Sequence, residues 1–172
     1  MVVLDRLSQR GKRAQHLARR SFTPLRTIVV PLLGHDESEH AVSLACRLAA
    51  DRNGHVLFLA PLEVPAELPL DARFDEEEQR LKDWLCRVRA VAESYGIAAG
   101  TRILRTRNFG LDVANEAERR DADLIVVGTP ICSRQGFAHT FPETVERILR
   151  HASARVLIAT GDFVGADGRA AA

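Results

Sequence analysis

The chain has 172 residues, which is room for about one domain of ordinary size. Hydrophobic residues make up 46% and charged residues 27%, close to the globular average, and no apolar run approaches the ~18 residues of a membrane span, so bulk disorder and a spanning protein are both excluded. The formal net charge is +1, which excludes a general polyanion-binding protein. That average hides an asymmetry: residues 1–23 carry six basic side chains (Arg6, Arg10, Lys12, Arg13, Arg19, Arg20) against Asp5 alone, and the remainder is net acidic.

The three cysteines, Cys46, Cys86 and Cys132, form no CxxC pair. That spacing argues against a disulfide framework and a zinc site, and for a reducing, cytoplasmic location. The start MVVLDRLSQRGKRAQHLARR has its short apolar piece before the charges and lacks the apolar core of a secretory signal. We divide the chain into a basic leader (1–23), an α/β domain (24–160) and a tail rich in Gly, Ala and Asp (161–172).

In chain order, TIVVP (27–31) is an uninterrupted apolar run, as expected of a strand buried on both faces. Ala41, Leu44, Ala45, Leu48 and Ala49 then recur at helical spacing, predicting a helix over about residues 38–52, with Asp36 and Glu39 as a variant capping box. HVLFLA (55–60) is a second strand. Pro61, Pro65 and Pro69 follow within nine residues and predict a long loop. A second helix opens on Asp75, Glu76, Glu77 and Glu78, carries the stripe Leu81, Leu85, Val88, Ala92 and Tyr95, and stops at Gly96. TRILR (101–105) predicts a third strand, residues 110–120 a third helix, and DLIVVG (123–128) a fourth strand. After a loop from 129 to 139, a fourth helix (141–151) and the strand ARVLIAT (154–160) complete the pattern.

Strands alternating with helices mean right-handed βαβ units. The expected fold is a five-stranded, parallel, doubly wound α/β sheet in strand order 3-2-1-4-5, with helices on both faces. Ligands bind such sheets beyond the carboxyl ends of the strands where the order reverses, here between strands one and four. That places Pro31, Leu32, Leu33, Gly34 and His35 opposite the segment from Gly128 to Glu143.

Four segments, TIVVPLLG, HAVSLACRLAADRNGHVLFL, ADLIVVGT and ETVERILRHASARVLIAT, resemble the universal stress protein family over about residues 25–160. EVPAELPLDARFDEEE further resembles universal stress domains appended to amino-acid permeases. The resemblance implies a cytoplasmic homodimer paired through the last strand (Val156, Leu157, Ile158), some members binding ATP and others not. Nucleotide-binding members have an aspartate at the end of strand one, then glycine and serine, and a stretch G-x-x-G, nine residues, G-[S/T].

This sequence departs from both motifs. Leu33 stands at the aspartate position and His35 at the serine. Gly128 is kept, but Ile131 replaces the next glycine and Pro142-Glu143 match the final pair. Pro142 removes a backbone donor and Glu143 adds a carboxylate where a phosphate would sit. Thr140 and Glu143 have capping-box spacing, so the cradle is expected to be filled from within.

The residues around a degenerate site are thus Pro31, Leu32, Leu33, Val127, Gly128, Thr129 and Arg134. Arg105 and Arg107 are further candidates to restore an anion site, although solvated loop arginines are the plainer reading. Cys132 beside Arg134 reads as an ordinary loop cysteine. His35 and His139 have no carboxylate or hydroxyl at catalytic spacing, and His151 suits the last carbonyls of its helix. No catalytic or metal-ligating set emerges. The expected function is a non-catalytic, dimeric regulatory domain without a cofactor, with a transporter or other protein as partner; the alternative is a module that binds ATP or cyclic AMP. In the leader, Leu4, Leu7, Gly11, Ala14, Leu17 and Ala18 fall on one helical face. It reads as a flexible or partner-dependent helix ahead of peripheral contact with a membrane, and sequence-specific nucleic-acid binding is not expected.

Overall fold

The computed structural model describes residues 25–129 and 141–160. Nine elements alternate: β1 (Thr27–Pro31), α1 (His35–Ala50), β2 (His55–Glu63), α2 (Asp75–Ser94), β3 (Ala98–Thr106), α3 (Phe109–Arg119), β4 (Leu124–Gly128), α4 (Glu143–His151) and β5 (Arg155–Ala159). The strands form one five-stranded sheet in the order β3-β2-β1-β4-β5, and every neighbouring pair is parallel. The expected fold class and strand order are therefore observed.

Side chains alternate across the sheet with period two, which separates two apolar layers. Ile28, Val30, Val56, Phe58, Leu124 and Val126 face α1 and α2. Val29, Leu57, Leu59, Ile125 and Val127 face α3 and α4. Central strands that bury both faces must be apolar at every position, which is why β1 and β4 read as unbroken runs.

Asp123 joins the two strands of the switch point at their amino ends. Its Oδ2 accepts from the backbone N–H groups of Arg26 and Thr27 at 3.0 and 3.1 Å, and its own N–H donates to the Thr27 carbonyl at 2.9 Å. Gly54 lets the chain turn tightly into β2, since a Cβ there would stand 2.9 Å from the Leu25 carbonyl oxygen.

Several boundaries differ from expectation. β2 continues through Pro61 to Glu63, so the loop is shorter than the three prolines suggested. Leu32 N–H donates to the Leu59 carbonyl and Val64 N–H to the Thr106 carbonyl. Odd residues of β2 thus face β1 and even ones face β3. The donor that Pro61 lacks would point to the β1 side, so the β1–β2 ladder stops after the Leu32–Leu59 bond, while the β2–β3 ladder, which uses the even residues, continues. β3 begins at Ala98 rather than 101, because Ala98, Ala99 and Gly100 pair with His55, Val56 and Leu57.

α1 begins at His35, capped by the extended residue Gly34 without a side-chain cap bond. Asp36 and Glu39 both lie inside the helix, so the anticipated capping box does not form. α4 begins at Glu143 rather than at 141, with Pro142 at the N-cap and no side-chain cap bond. Gly96 has φ 70°, the left-handed conformation expected of a glycine after a helix.

A candidate ligand site at the carboxyl ends of β1 and β2

The doubly wound sheet leaves its strand ends open at the top, where the residues that follow β1 face the first half of α2. Leu32 is fully buried and continues the β1–β2 ladder by its 2.8 Å bond to the Leu59 carbonyl. Leu33 is half-buried and packs against the layer under α3 and α4. Gly34 then turns the chain into α1, its N–H facing Ser38 Oγ at 3.4 Å. Leu32, Leu33 and Gly34, with Pro61, form one wall of a cleft of about 480 Å³. The opposite wall is the first half of α2: Glu77, Arg80, Leu81, Asp83, Trp84 and Arg87.

Two carboxylates and two guanidinium groups line this cleft. Arg80 is already paired with Glu77 at 3.2 Å, so the site has no net field to concentrate a multiply charged anion. Neither Leu32 nor Leu33 has a polar side-chain atom. Pro31, Val127, Gly128 and Thr129, also expected at the site, are buried and do not line the cleft. Val127 packs into the α3/α4 layer, and Thr129 N–H donates to the Ala159 carbonyl at 3.2 Å.

At α4 the carbonyl of Pro142 accepts from both Val145 and Glu146 N–H groups, at 2.9 and 3.1 Å. Glu143 turns along the helix to Arg147, whose Nε donates to it at 3.0 Å. The helix starts at Glu143 with Pro142 as its N-cap, and the expected Thr140–Glu143 box rests on Thr140, which lies outside the described residues. Arg147 at i+4 wins the Glu143 carboxylate because both side chains lie on one helical face. Thr140, Ile131, Cys132, Arg134 and His139 lie outside the described residues, as does the side chain of His35.

Arg105 and Arg107 do not restore an anion site. Arg105 donates to the carbonyls of Leu70 and Ala72 at 3.2 and 2.6 Å and to Glu78 at 2.9 Å. Arg107 donates to the Leu68 carbonyl at 2.6 Å. Both bind the segment between β2 and α2 to the edge of the sheet. Hydrogen bonds from Lys82 and then Arg105 hold the Glu78 carboxyl below its ordinary range.

Sequence reasoning missed Trp84, Arg80 and Arg87. They read as part of a solvated face of α2, and only the position of that helix over the end of β1 brings them to the cleft. Their one signal was the acidic start of α2, which fixes the helix terminus at the top of the sheet. Among the described residues no cluster of His, Cys, Asp or Glu could hold a metal, and no helix is long and apolar enough to cross a membrane.

β5 is the last strand of the sheet. Val156 and Ile158 turn inward against the α3/α4 layer, whereas Leu157 remains 37% exposed.

A sequence model described as the Universal stress protein family matches residues 24–160. No curated protein matches the chain. Among solved structures, a protein of the universal stress protein family from Burkholderia pseudomallei is 22% identical with a TM-score of 0.62, over 80% of this chain and 97% of the other. The universal stress protein from Archaeoglobus fulgidus in complex with dAMP is 20% identical with a TM-score of 0.60, over 79% of this chain and 98% of that one. A family protein from Arabidopsis thaliana with AMP bound is 15% identical with a TM-score of 0.56, over 83% and 94%. At these identities the likeness is one of fold.

Proposed function

The chain belongs to the universal stress protein family, and from that premise we propose that it is a non-catalytic, homodimeric regulatory domain whose nucleotide site has lost its polar recognition. The observation that carries this reading is Leu33. It stands where nucleotide-binding members have an aspartate, at the wall of the cleft beyond β1, and a leucine accepts no hydrogen bond from a base or ribose.

The other residues fit a nucleotide no better. Pro142 at the α4 N-cap offers no N–H, the cleft charges are balanced, and Arg105 and Arg107 are committed to carbonyls at the sheet edge. Each hydrogen bond missing from a phosphate weakens binding by about 1 to 3 kcal/mol, so the absence of three costs about 3 to 9 kcal/mol, against the ~4 kcal/mol that separates micromolar from millimolar affinity. The protein then acts through contacts with a partner protein in the cytoplasm, a transporter among the candidates. Pairing of two copies along β5 supplies the dimer.

A second reading, retention of an adenine nucleotide, is favoured by the relatives whose structures hold dAMP and AMP. Calorimetry with ATP, ADP and cyclic AMP, in magnesium at physiological salt, separates the two. No heat at millimolar ligand is expected. Saturable binding at tens of micromolar overturns the degenerate-site reading in favour of the second.

A further inference from the structure

A second concavity, of about 420 Å³, lies between α1 and α2 on the outside of the sheet. Its lining is mainly apolar: Val42 from α1, and Trp84, Val88 and Val91 from α2. Val91 is 43% exposed, although Val88 and Ala92 beside it on the helix are buried. The two helices around the groove are the acidic part of the molecule, with nine acidic side chains against five basic ones over 35–50 and 75–94.

We propose that residues 4–18 of this chain's own basic leader dock in this groove as an amphipathic helix, independently of whether the cleft above binds a nucleotide. Three observations select that occupant. The first is where the leader enters the fold. Leu25 packs against the α1/α2 layer rather than the opposite one, and its carbonyl lies beside Gly54, just past the end of α1. The second is length. From Ala50 back to Val42 is about 12 Å of helix, and the six residues between Ala18 and Leu25 span at most ~25 Å when extended. The third is charge. The leader has six basic residues and one acidic, opposite in sign to the helices flanking the groove, while Leu4, Leu7, Ala14, Leu17 and Ala18 supply an apolar face for Val42, Trp84, Val88 and Val91. Trp84 and Arg87 line both the groove and the cleft at the strand ends, so a docked leader lies next to that cleft.

Trp84 is the only tryptophan, and its fluorescence reports on the groove in the full chain. Acrylamide quenching is expected to at least double in Leu7→Asp/Leu17→Asp relative to wild type, independently of protein concentration. From the groove side, Val91→Lys is expected to speed trypsin cleavage at Arg10 to Arg20 at least threefold. Equal quenching in wild type and the double variant, or equal cleavage with and without Val91→Lys, overturns the proposal. Shielding of Trp84 that grows with protein concentration overturns it in favour of a leader from a second copy. Shielding that requires vesicles of phosphatidylglycerol overturns it in favour of a membrane surface.

Discussion

Gly110 in α3 faces the main chain of α4 so closely that a Cβ on it would stand 2.5 Å from the Thr144 carbonyl oxygen and 2.8 Å from Arg147 Cβ. The two helices covering the β4 side of the sheet are therefore in backbone contact at one point. Since a carbonyl cannot move aside as a side chain can, Gly110→Ala is expected to cost about 3 kcal/mol, at the upper end for overpacking. A urea midpoint within error of wild type would show that α4 shifts freely on the sheet.

Glu116 of α3 is fully buried beneath three arginines. Its Oε1 accepts from Arg102 Nη1 and Arg120 Nε at 3.0 Å each, and its Oε2 accepts from Arg119. The arginines keep much of their surface in water, so they lose little if the acid is removed, while the acid depends on them. Glu116→Ala is expected to destabilise by about 2 to 4 kcal/mol through a cavity and the removal of charge-assisted bonds. Arg119→Ala should cost under about 1 kcal/mol. Equal losses in chemical denaturation would mean that no single partner dominates.

Cys46 is buried in the α1/α2 layer, and burial pushes its thiol up from 9.0 to about 11. Between those values an unfolded chain releases a proton that the folded chain retains. The stabilisation is complete below pH 9 and is lost as pH rises toward 11. Urea midpoints are expected to fall over this range, and the fall should be shallower in Cys46→Ala. Identical pH profiles would reject the assignment. Thiol-reactive dyes at neutral pH should label the exposed Cys86 well before Cys46.

Leu157 points outward from an edge strand whose neighbours Val156 and Ile158 point in. If two copies pair along β5, Leu157→Arg places like charges across the axis and shifts the particle toward monomer. Light scattering measures this directly. An unchanged mass rejects the β5 seam.

Leu33→Asp combined with Pro142→Gly and Glu143→Ser installs the aspartate, glycine and serine of the nucleotide-binding motif that the family resemblance implies. ATP affinity is expected to rise at least tenfold by calorimetry. A folded triple variant that binds no better than wild type rejects the proposal that these three positions weaken nucleotide binding.

The fold class and its parallel pairing were readable from residue pattern alone. Unbroken β-branched runs such as Ile28 to Val30 and Leu124 to Val127 have one economical use, as strands buried on both faces, and helices between them leave only parallel pairing with right-handed crossovers. Element ends were less legible. Pro61 looks like a strand breaker from its neighbours alone, and it is admitted because the β2–β3 ladder uses the even residues and continues past it, a fact about another strand. The composition of the cleft was legible only in half. Leu32 and Leu33 follow directly from β1, whereas Trp84, Arg80 and Arg87 arrive through the placement of α2, which depends on how Leu81, Leu85 and Val88 pack on the sheet. Arg105 likewise reads as a free cation until the fold brings the Leu70 and Ala72 carbonyls within its reach. Local pattern fixes periodicity and therefore architecture. Partners distant in sequence are set by packing, which periodicity does not encode.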